Sequence, residues 1–356
     1  MIKKLHFVYA FPELKPKLIR LNSFLSKIFN YSVKDRVFQS RNWPSPVQAP
    51  LSISYNICKA FSKDYDVYIY DINDNRDLIL GDNDVFLGHA WPDFKDYKSG
   101  NNYWKTFDPN NITNKVILRY PNDPRVKVIM PFNHSLEQNG WLEPLLPKIH
   151  TLIGISGDYW VKNISKFPFF DKLNHFRQLN MSLDKKDYPL LKRKFNKKEE
   201  RRFLYIGRVS KEKNIELLEE LALLNGFKGA YISDGEGIKG WDKLSDFRRL
   251  TPDYVQTLVN EFDFFVTTST YDAQATTVLE AMAWGFMILC TEQTGYSHES
   301  MFLLDLHDSE FNRSLIKYIQ NVDEEVLYSY QKINLELLDT KYSWNKFNRD
   351  LAAILN

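Results

Sequence analysis

STYDAQATTVLEAMAWG, residues 269–285, decides how this chain is read. The apolar run ending near Thr268 predicts a strand, the polar stretch carrying Asp272 a short loop, and the segment Ala275–Ala283 a helix. Asp272 and Glu280 therefore bracket the N-terminus of one helix. Such a terminus offers backbone N–H groups without intrahelical partners and the positive end of the helix dipole, a combination that favours an anion. In a doubly wound sheet it also stands at the carboxyl edge of the strands, where ligands bind. Glu280, about a turn and a half into the helix, is placed to accept two sugar hydroxyls, as acidic residues do for ribose in dinucleotide-binding folds.

Outward from this stretch, short apolar runs alternate with helix-like segments, the pattern of α/β architecture with parallel sheets. Strands are expected at Leu5–Ala10, Asp66–Tyr70, Asp84–Leu87, Val126–Pro131 and Thr151–Ser156, with a helix from about Gln48 to Ser62. The alternation restarts with strands at Phe203–Gly207, Gly229–Ile232, Phe262–Thr267 and Phe286–Cys290. Lys213–Asn225 reads as a helix with Ile215, Leu218, Leu221 and Ala222 on one face, and Ser343–Leu355 as a terminal helix. Between the two series lies DKKDYPLLKRKFNKKEERR, a charged run broken by Pro189. It reads as a solvated interdomain linker, because glutamates interrupt the basic tract that could otherwise touch anionic lipid. The expected organisation is a first Rossmann-like domain over 1–184, a linker over 185–201, a second over 202–340, and a terminal helix over 341–356 returning to the first domain.

The chain has 356 residues, enough for two domains, and its 44% apolar content sustains globular cores. The net charge of +2 gives no case for nucleic acid as a partner. Two cysteines, Cys58 and Cys290, stand in apolar surroundings and point to free thiols in a reducing cytoplasm. The opening MIKKLHFVYAFPELK carries an apolar run that ends at Pro12-Glu13 with no small-residue cleavage site, so it reads as a first strand rather than a leader. No stretch approaches the length of a spanning helix, which leaves at most peripheral membrane contact. Lys15–Tyr31, with Leu18, Leu21, Phe24, Leu25 and Ile28, has the spacing of an amphipathic helix, core-facing or membrane-facing.

The segment around Asp272 resembles the Glu-x7-Glu motif of the large retaining family of GT-B glycosyltransferases, family 4 (glycosyltransferase group 1). It stands here as Asp272-x7-Glu280 followed by AMAWG. LYIGRVSKEKN (204–214) resembles that family's Gly-Arg-x-x-x-x-Lys stretch, SDGEG (233–237) its Gly-Asp-Gly turn, TGYSHE (294–299) its Gly-Gly-x-x-Glu segment, and YSW (342–344) the start of its last helix. Each motif alone is weak; their shared order and spacing carry the resemblance over nearly the whole second half. It implies a GT-B fold, two Rossmann-like domains with parallel sheets facing across a cleft. The implied donor is a UDP-, GDP- or ADP-sugar handled without a metal cofactor, and the implied acceptor a glycan or lipid-linked saccharide.

The resemblance also assigns roles. Gly207, Arg208 and Lys213 would hold the donor diphosphate, where fixed cations stabilise the departing charge. Ala275 and the N–H groups of Thr276 and Thr277 would meet the phosphates, Glu280 the ribose and Asp272 the donor sugar. Asp234, Gly235 and Glu299 are secondary candidates near the same place. Three departures bear on the donor sugar: Asp272 is one methylene shorter than the usual Glu, Ala273 and Ala275 stand where glycines are usual, and Asn214 replaces another glycine.

The first half resembles the family less. The counterpart of its glycine-rich loop is PSPVQAP (44–50), which lacks glycine. His134, after the strand ending at Pro131, is the candidate for contact with the donor sugar, with Asn133 beside it; His89 is the lesser candidate. Trp91, Tyr103 and Trp104 could stack on an acceptor sugar or pack in a loop. Two other functions fit the same residues: a nucleotide-sugar epimerase or phosphorylase, and a non-catalytic relative that binds sugar nucleotides.

Overall fold

A computed structural model describes residues 3–9, 36–37, 49–71, 76–89, 109–130, 142–166, 170–235, 237–246 and 250–356. The chain forms two compact units, one comprising Met1–Ile155, Ile164–Leu179 and Asn348–Asn356, the other Ser156–Asn163 and Asn180–Phe347. Every strand expected from the sequence is present, with its ends moved by no more than two residues.

The first unit is built on a sheet of β1 (Lys3–Tyr9), β2 (Arg36–Val37), β3 (Tyr65–Asp71), β4 (Val85–His89), β5 (Val126–Met130), β6 (Thr151–Ile155) and β7 (His175–Leu179). Their order is β2-β3-β1-β4-β5-β6-β7, parallel except for the short β2. β4, β5 and β6 are buried along their whole length, as expected of parallel strands covered on both faces. Helix α1 (Ala49–Phe61) packs on β1 and β3. Helix α2 (Ile112–Arg119) opens on Asn111, whose side chain accepts the N–H of Asn114, and buries Ile112, Val116 and Ile117 in a core with Val8, Phe86 and Val128.

The second unit begins with a short helix, α3 (Asp158–Asn163), and rests on a wholly parallel sheet of β8 (Phe203–Ile206), β9 (Gly229–Ile232), β10 (Trp241–Ser245), β11 (Phe264–Thr267), β12 (Met287–Thr291) and β13 (Phe302–Leu304). Its order is β10-β9-β8-β11-β12-β13. The connecting helices are α4 (Ile215–Ala222), α5 (Pro252–Glu261), α6 (Thr276–Trp284), α7 (Ser309–Asn321) and α8 (Glu324–Thr340); the last helix is α9 (Trp344–Leu355). Helix α4 buries Leu217, Leu218 and Leu221, so its inward face is centred on Leu218 and Leu221, with Ile215 and Ala222 at its margins. Thr251 caps α5 and Pro252 starts it, where a missing N–H costs nothing. Gly285, at φ +98°, closes α6 in the left-handed conformation that glycine tolerates.

The charged run 185–201 is a strap on this unit rather than a free linker. The N–H groups of Leu191 and Lys192 both donate to the Trp284 carbonyl, at 3.1 and 2.8 Å. Lys192 is buried, its ammonium 2.7 Å from the Asp263 carboxylate and 2.7 Å from the Val259 carbonyl. Asn196 donates its backbone N–H to the same carboxylate, Phe195 enters the core, and Arg201 donates to the Ile319 carbonyl near the end of α7. The run therefore satisfies its buried charges locally, which sequence composition alone does not reveal. Cys58 and Cys290 are both free and buried. Among the described residues no helix is long and apolar enough to cross a membrane.

Candidate functional site

In the second sheet β9 and β10 lie to one side of β8, and β11, β12 and β13 to the other. The winding direction therefore reverses between β8 and β11, and it is at the loops leaving the carboxyl ends of two such strands that sheets of this kind bind ligands. Those loops are 207–214, after β8, and 268–275, after β11. They are the segments that carry Arg208, Lys213 and Asp272.

Hydrogen bonds stitch the two loops together. The Thr268 hydroxyl donates to the carbonyls of Lys213 (2.8 Å) and Asn214 (3.0 Å), and the Thr270 N–H donates to the Glu212 carbonyl at 3.0 Å. The first loop turns through a single 3-10 turn, Lys211–Lys213, closed by Asn214 in the left-handed conformation at φ +49°. Asparagine is among the few residues that adopt this conformation readily, which explains how it replaces glycine here. Gly207 is fixed by space: a Cβ there would lie 2.6 Å from the Tyr205 hydroxyl, which donates to the Arg208 carbonyl at 2.6 Å.

Across this seam Lys213 and Asp272 form an ion pair, with side chains 13% and 17% exposed. The Ser269 hydroxyl donates to the same Asp272 oxygen at 3.3 Å. Arg208 is placed differently. Its side chain is 79% exposed, with the guanidinium 3.1 Å from the Glu212 carboxylate. The structure thus brings Lys213 and Asp272 together and leaves Arg208 at the rim.

Helix α6 starts directly after this pair. Its N-cap is Ala275, which has no side chain able to cap it, so the N–H groups of Thr276 and Thr277 head the helix. The Ala275 carbonyl is held by the Tyr296 hydroxyl at 3.0 Å. Glu280 lies in the second turn of α6, half-buried. Burial pushes its carboxyl up to about 7, and a hydrogen bond from the Tyr188 hydroxyl acts in the opposite direction. Tyr188 comes from the strap, a segment whose sequence gave no sign of a role at this helix.

Of the remaining candidates, Gly235 packs so closely on Val209 that no Cβ would fit, which sets the 233–235 turn against the first loop. Asp234 is exposed. Glu299 is exposed and, among the described residues, makes no hydrogen bond or ion pair with the Lys213–Asp272–Glu280 group. His89 belongs to the other unit, buried at the carboxyl end of β4, its N–H donating to the Thr113 hydroxyl at 3.3 Å. His134, Asn133, Trp91, Tyr103 and Trp104 lie outside the described residues, as do Pro44–Gln48.

Sequence reading missed two further residues at the site. Trp160, from α3, shares its indole N–H between the carbonyls of Asp272 (3.1 Å) and Gln293 (3.2 Å). Gln274 stands between the two alanines that replace glycines and adopts φ +48° itself. The one signal for Gln274 in the sequence is that position: a loop that has lost its glycines must find another residue for its left-handed turn.

No family model matches the chain, and no curated protein matches it. Solved structures do. Sucrose-phosphate synthase of Thermosynechococcus elongatus aligns over 99% of this chain and 98% of its own, at 11% identity and a TM-score of 0.55. An E. coli structure described as trehalose-6-phosphate, bound with UDP-2-fluoro glucose, aligns over the same shares at 10% identity and a TM-score of 0.57. For TarM of S. aureus the match takes in 69% of this chain but only 59% of TarM, at 14% identity and a TM-score of 0.49. At these identities the full-length likenesses establish architecture: the chain has the two-domain α/β fold of the GT-B glycosyltransferases.

Proposed function

We propose that the chain is a retaining glycosyltransferase that moves a sugar from a nucleotide-diphosphate donor to a hydroxyl of a glycan or lipid-linked acceptor. The observation that carries this reading is the convergence, at the point where the second sheet reverses, of Lys213, Asp272 and the uncapped start of α6. A cation, free N–H groups and a dipole end together suit a diphosphate. A carboxylate beside them suits sugar hydroxyls. The E. coli neighbour, bound with UDP-2-fluoro glucose, makes a uridine nucleotide the first donor to try, with GDP- and ADP-sugars next.

In this reading the diphosphate lies against the N–H groups of Thr276 and Thr277, with Lys213 beside it and Arg208 at the rim. Ribose hydroxyls meet Glu280, and the donor sugar faces Asp272. Lys213 exchanges part of its contact with Asp272 for the phosphate, freeing carboxylate oxygens for the sugar. As the bond from the anomeric carbon to the phosphate oxygen breaks, the acceptor oxygen bonds that carbon from the same face. Its proton passes to the departing phosphate oxygen. Lys213, Arg208 and the helix N–H groups stabilise the growing charge without rearrangement, the arrangement that lowers such barriers most. His134 and His89 stay proposals for donor-sugar contact. The reaction is assigned to the cytoplasm, with peripheral membrane contact for a lipid-linked acceptor.

The test is release of nucleoside diphosphate from a panel of UDP-, GDP- and ADP-sugars offered with mono- and oligosaccharide acceptors. Release that requires an acceptor supports transfer. A rearranged donor without acceptor would point to an epimerase, and nucleotide binding without turnover across the panel to a non-catalytic relative.

A further inference from the structure

Loop 272–275 must hold Asp272 beside Lys213 and present the start of α6, yet it lacks the glycines that such turns use. Gln274 supplies the left-handed turn, at φ +48°, a conformation a glutamine side chain disfavours. The residue is 1% exposed and its side-chain amide is fully engaged. The oxygen accepts the Met181 N–H at 2.7 Å, and the nitrogen donates to the Asn180 side-chain oxygen at 3.0 Å and to the Gly295 carbonyl at 3.1 Å. Gly295 meets it closely, a Cβ there lying 2.8 Å from Gln274 Cγ and against the Ser156 carbonyl. The neighbouring Asp272 is anchored at its backbone as well as its carboxylate, its N–H donating to the Gln293 carbonyl and its carbonyl accepting from the Trp160 indole. A buried amide with three good hydrogen bonds can offset the strain of the left-handed turn at its own residue.

We propose that Gln274 is a positioning residue: its buried amide, tied to Asn180, Met181 and Gly295, locks the left-handed turn that sets Asp272 against Lys213 and aims the N-terminus of α6. The geometry stands on its own; only its consequence for donor binding rests on the function proposed above.

The discriminating variant is Gln274→Gly. Glycine suits the backbone angle better than glutamine does, so a purely backbone role predicts an unchanged or tighter loop. A clamping role predicts the reverse. Amide hydrogen exchange of the whole chain, followed by mass spectrometry or NMR, reads the difference: the Asp272 N–H should exchange about tenfold faster in Gln274→Gly, while Val266 and Leu289 in the sheet keep their wild-type rates. Asn180→Ala, which removes one partner of the amide, should move Asp272 in the same direction by less, and decides the matter should Gln274→Gly fail to fold. A wild-type exchange rate at Asp272 in these variants, or one that rises only in step with Val266 and Leu289, overturns the proposal. UDP titrated into the same proteins separates the two claims. A wild type that binds UDP should lose about tenfold in affinity in Gln274→Gly, the scale of loss expected when a preorganised site loosens. A wild type that binds no UDP counts against a uridine donor while the exchange rates still judge Gln274.

Discussion

Lys213 and Asp272, 59 positions apart, form an ion pair that bridges the loops after β8 and β11. Both residues were read from the sequence as donor contacts, one for the diphosphate and one for the sugar. Their pairing means each occupies the other before any ligand arrives. In the proposed function a phosphate competes with Asp272 for Lys213, which would couple the two halves of a donor.

That competition predicts a split phenotype for Asp272→Asn. The amide keeps the shape but releases the ammonium, so a nucleoside diphosphate should bind more tightly, by up to about tenfold for one unit of charge compensation removed near a partly screened surface. Transfer of the sugar should fall, because the variant lacks the carboxylate that the proposed function sets against the sugar hydroxyls. Calorimetry with the diphosphate and turnover with the full donor check the two directions separately.

Glu280 predicts a pH dependence. Its folded-state carboxyl is raised to about 7 from an ordinary value of 4.5. Between those values the unfolded chain is ionised while the folded one keeps its proton, so the folded state binds more protons and stability falls as pH rises through that window. Glu280→Gln cannot ionise and should escape that fall. The melting-temperature difference between Glu280→Gln and wild type should therefore shift in the variant's favour from about pH 4.5 to about pH 7 and level off above. Tyr188→Phe removes the hydroxyl that holds the carboxyl down and should move the upper end of the window higher. Scanning fluorimetry across buffers measures both.

Asn214 tests the strain in the first loop. At φ +49° alanine tolerates the left-handed backbone less well than asparagine, so Asn214→Ala should cost about 1 kcal/mol, a drop of about 2–4 °C in melting temperature for a unit of this size. Asn214→Gly should lie within about 0.5 kcal/mol of wild type, since glycine offsets relief of the angle against lost entropy.

The strap predicts a large loss at Asp263. Asp263→Ala leaves the buried Lys192 ammonium with the Val259 carbonyl and the Phe195 ring but without its paired carboxylate, and breaking such a pair from one side costs about 3–5 kcal/mol. Replacing both, Lys192→Met with Asp263→Leu, should recover much of it. Chemical denaturation of the single and double variants gives the comparison.

How much of this was legible in the sequence follows from burial. Strands such as FLYI and GAYI, covered on both faces, show as short continuous apolar runs and were located to within two residues. The edge strands β7 (HFRQL) and β10 (WDKLS) leave several positions exposed, carry charge, and passed unread. The helices α7 and α8 are amphipathic but strongly polar and were not placed either. At the site, the resemblance of motifs in shared order pointed to Lys213, Asp272 and Glu280. Their supports did not announce themselves: Trp160 reaches Asp272 across 112 positions and Gln274 reaches Met181 across 93, and no local pattern encodes such distances. Arg208, expected beside Lys213 as a diphosphate contact, has a rim position that appears only in three dimensions.

The most direct test of a diphosphate site at Lys213 is calorimetric titration of UDP, GDP and ADP into wild type and Lys213→Ala, with EDTA present throughout. The account predicts that at least one nucleotide binds wild type without added metal and that Lys213→Ala, still folded, weakens it by more than about tenfold, the scale of a buried charge-assisted contact. Arg208→Ala, at the exposed rim, should lose less. Failure of all three nucleotides to bind wild type, or wild-type affinity in Lys213→Ala, would contradict it.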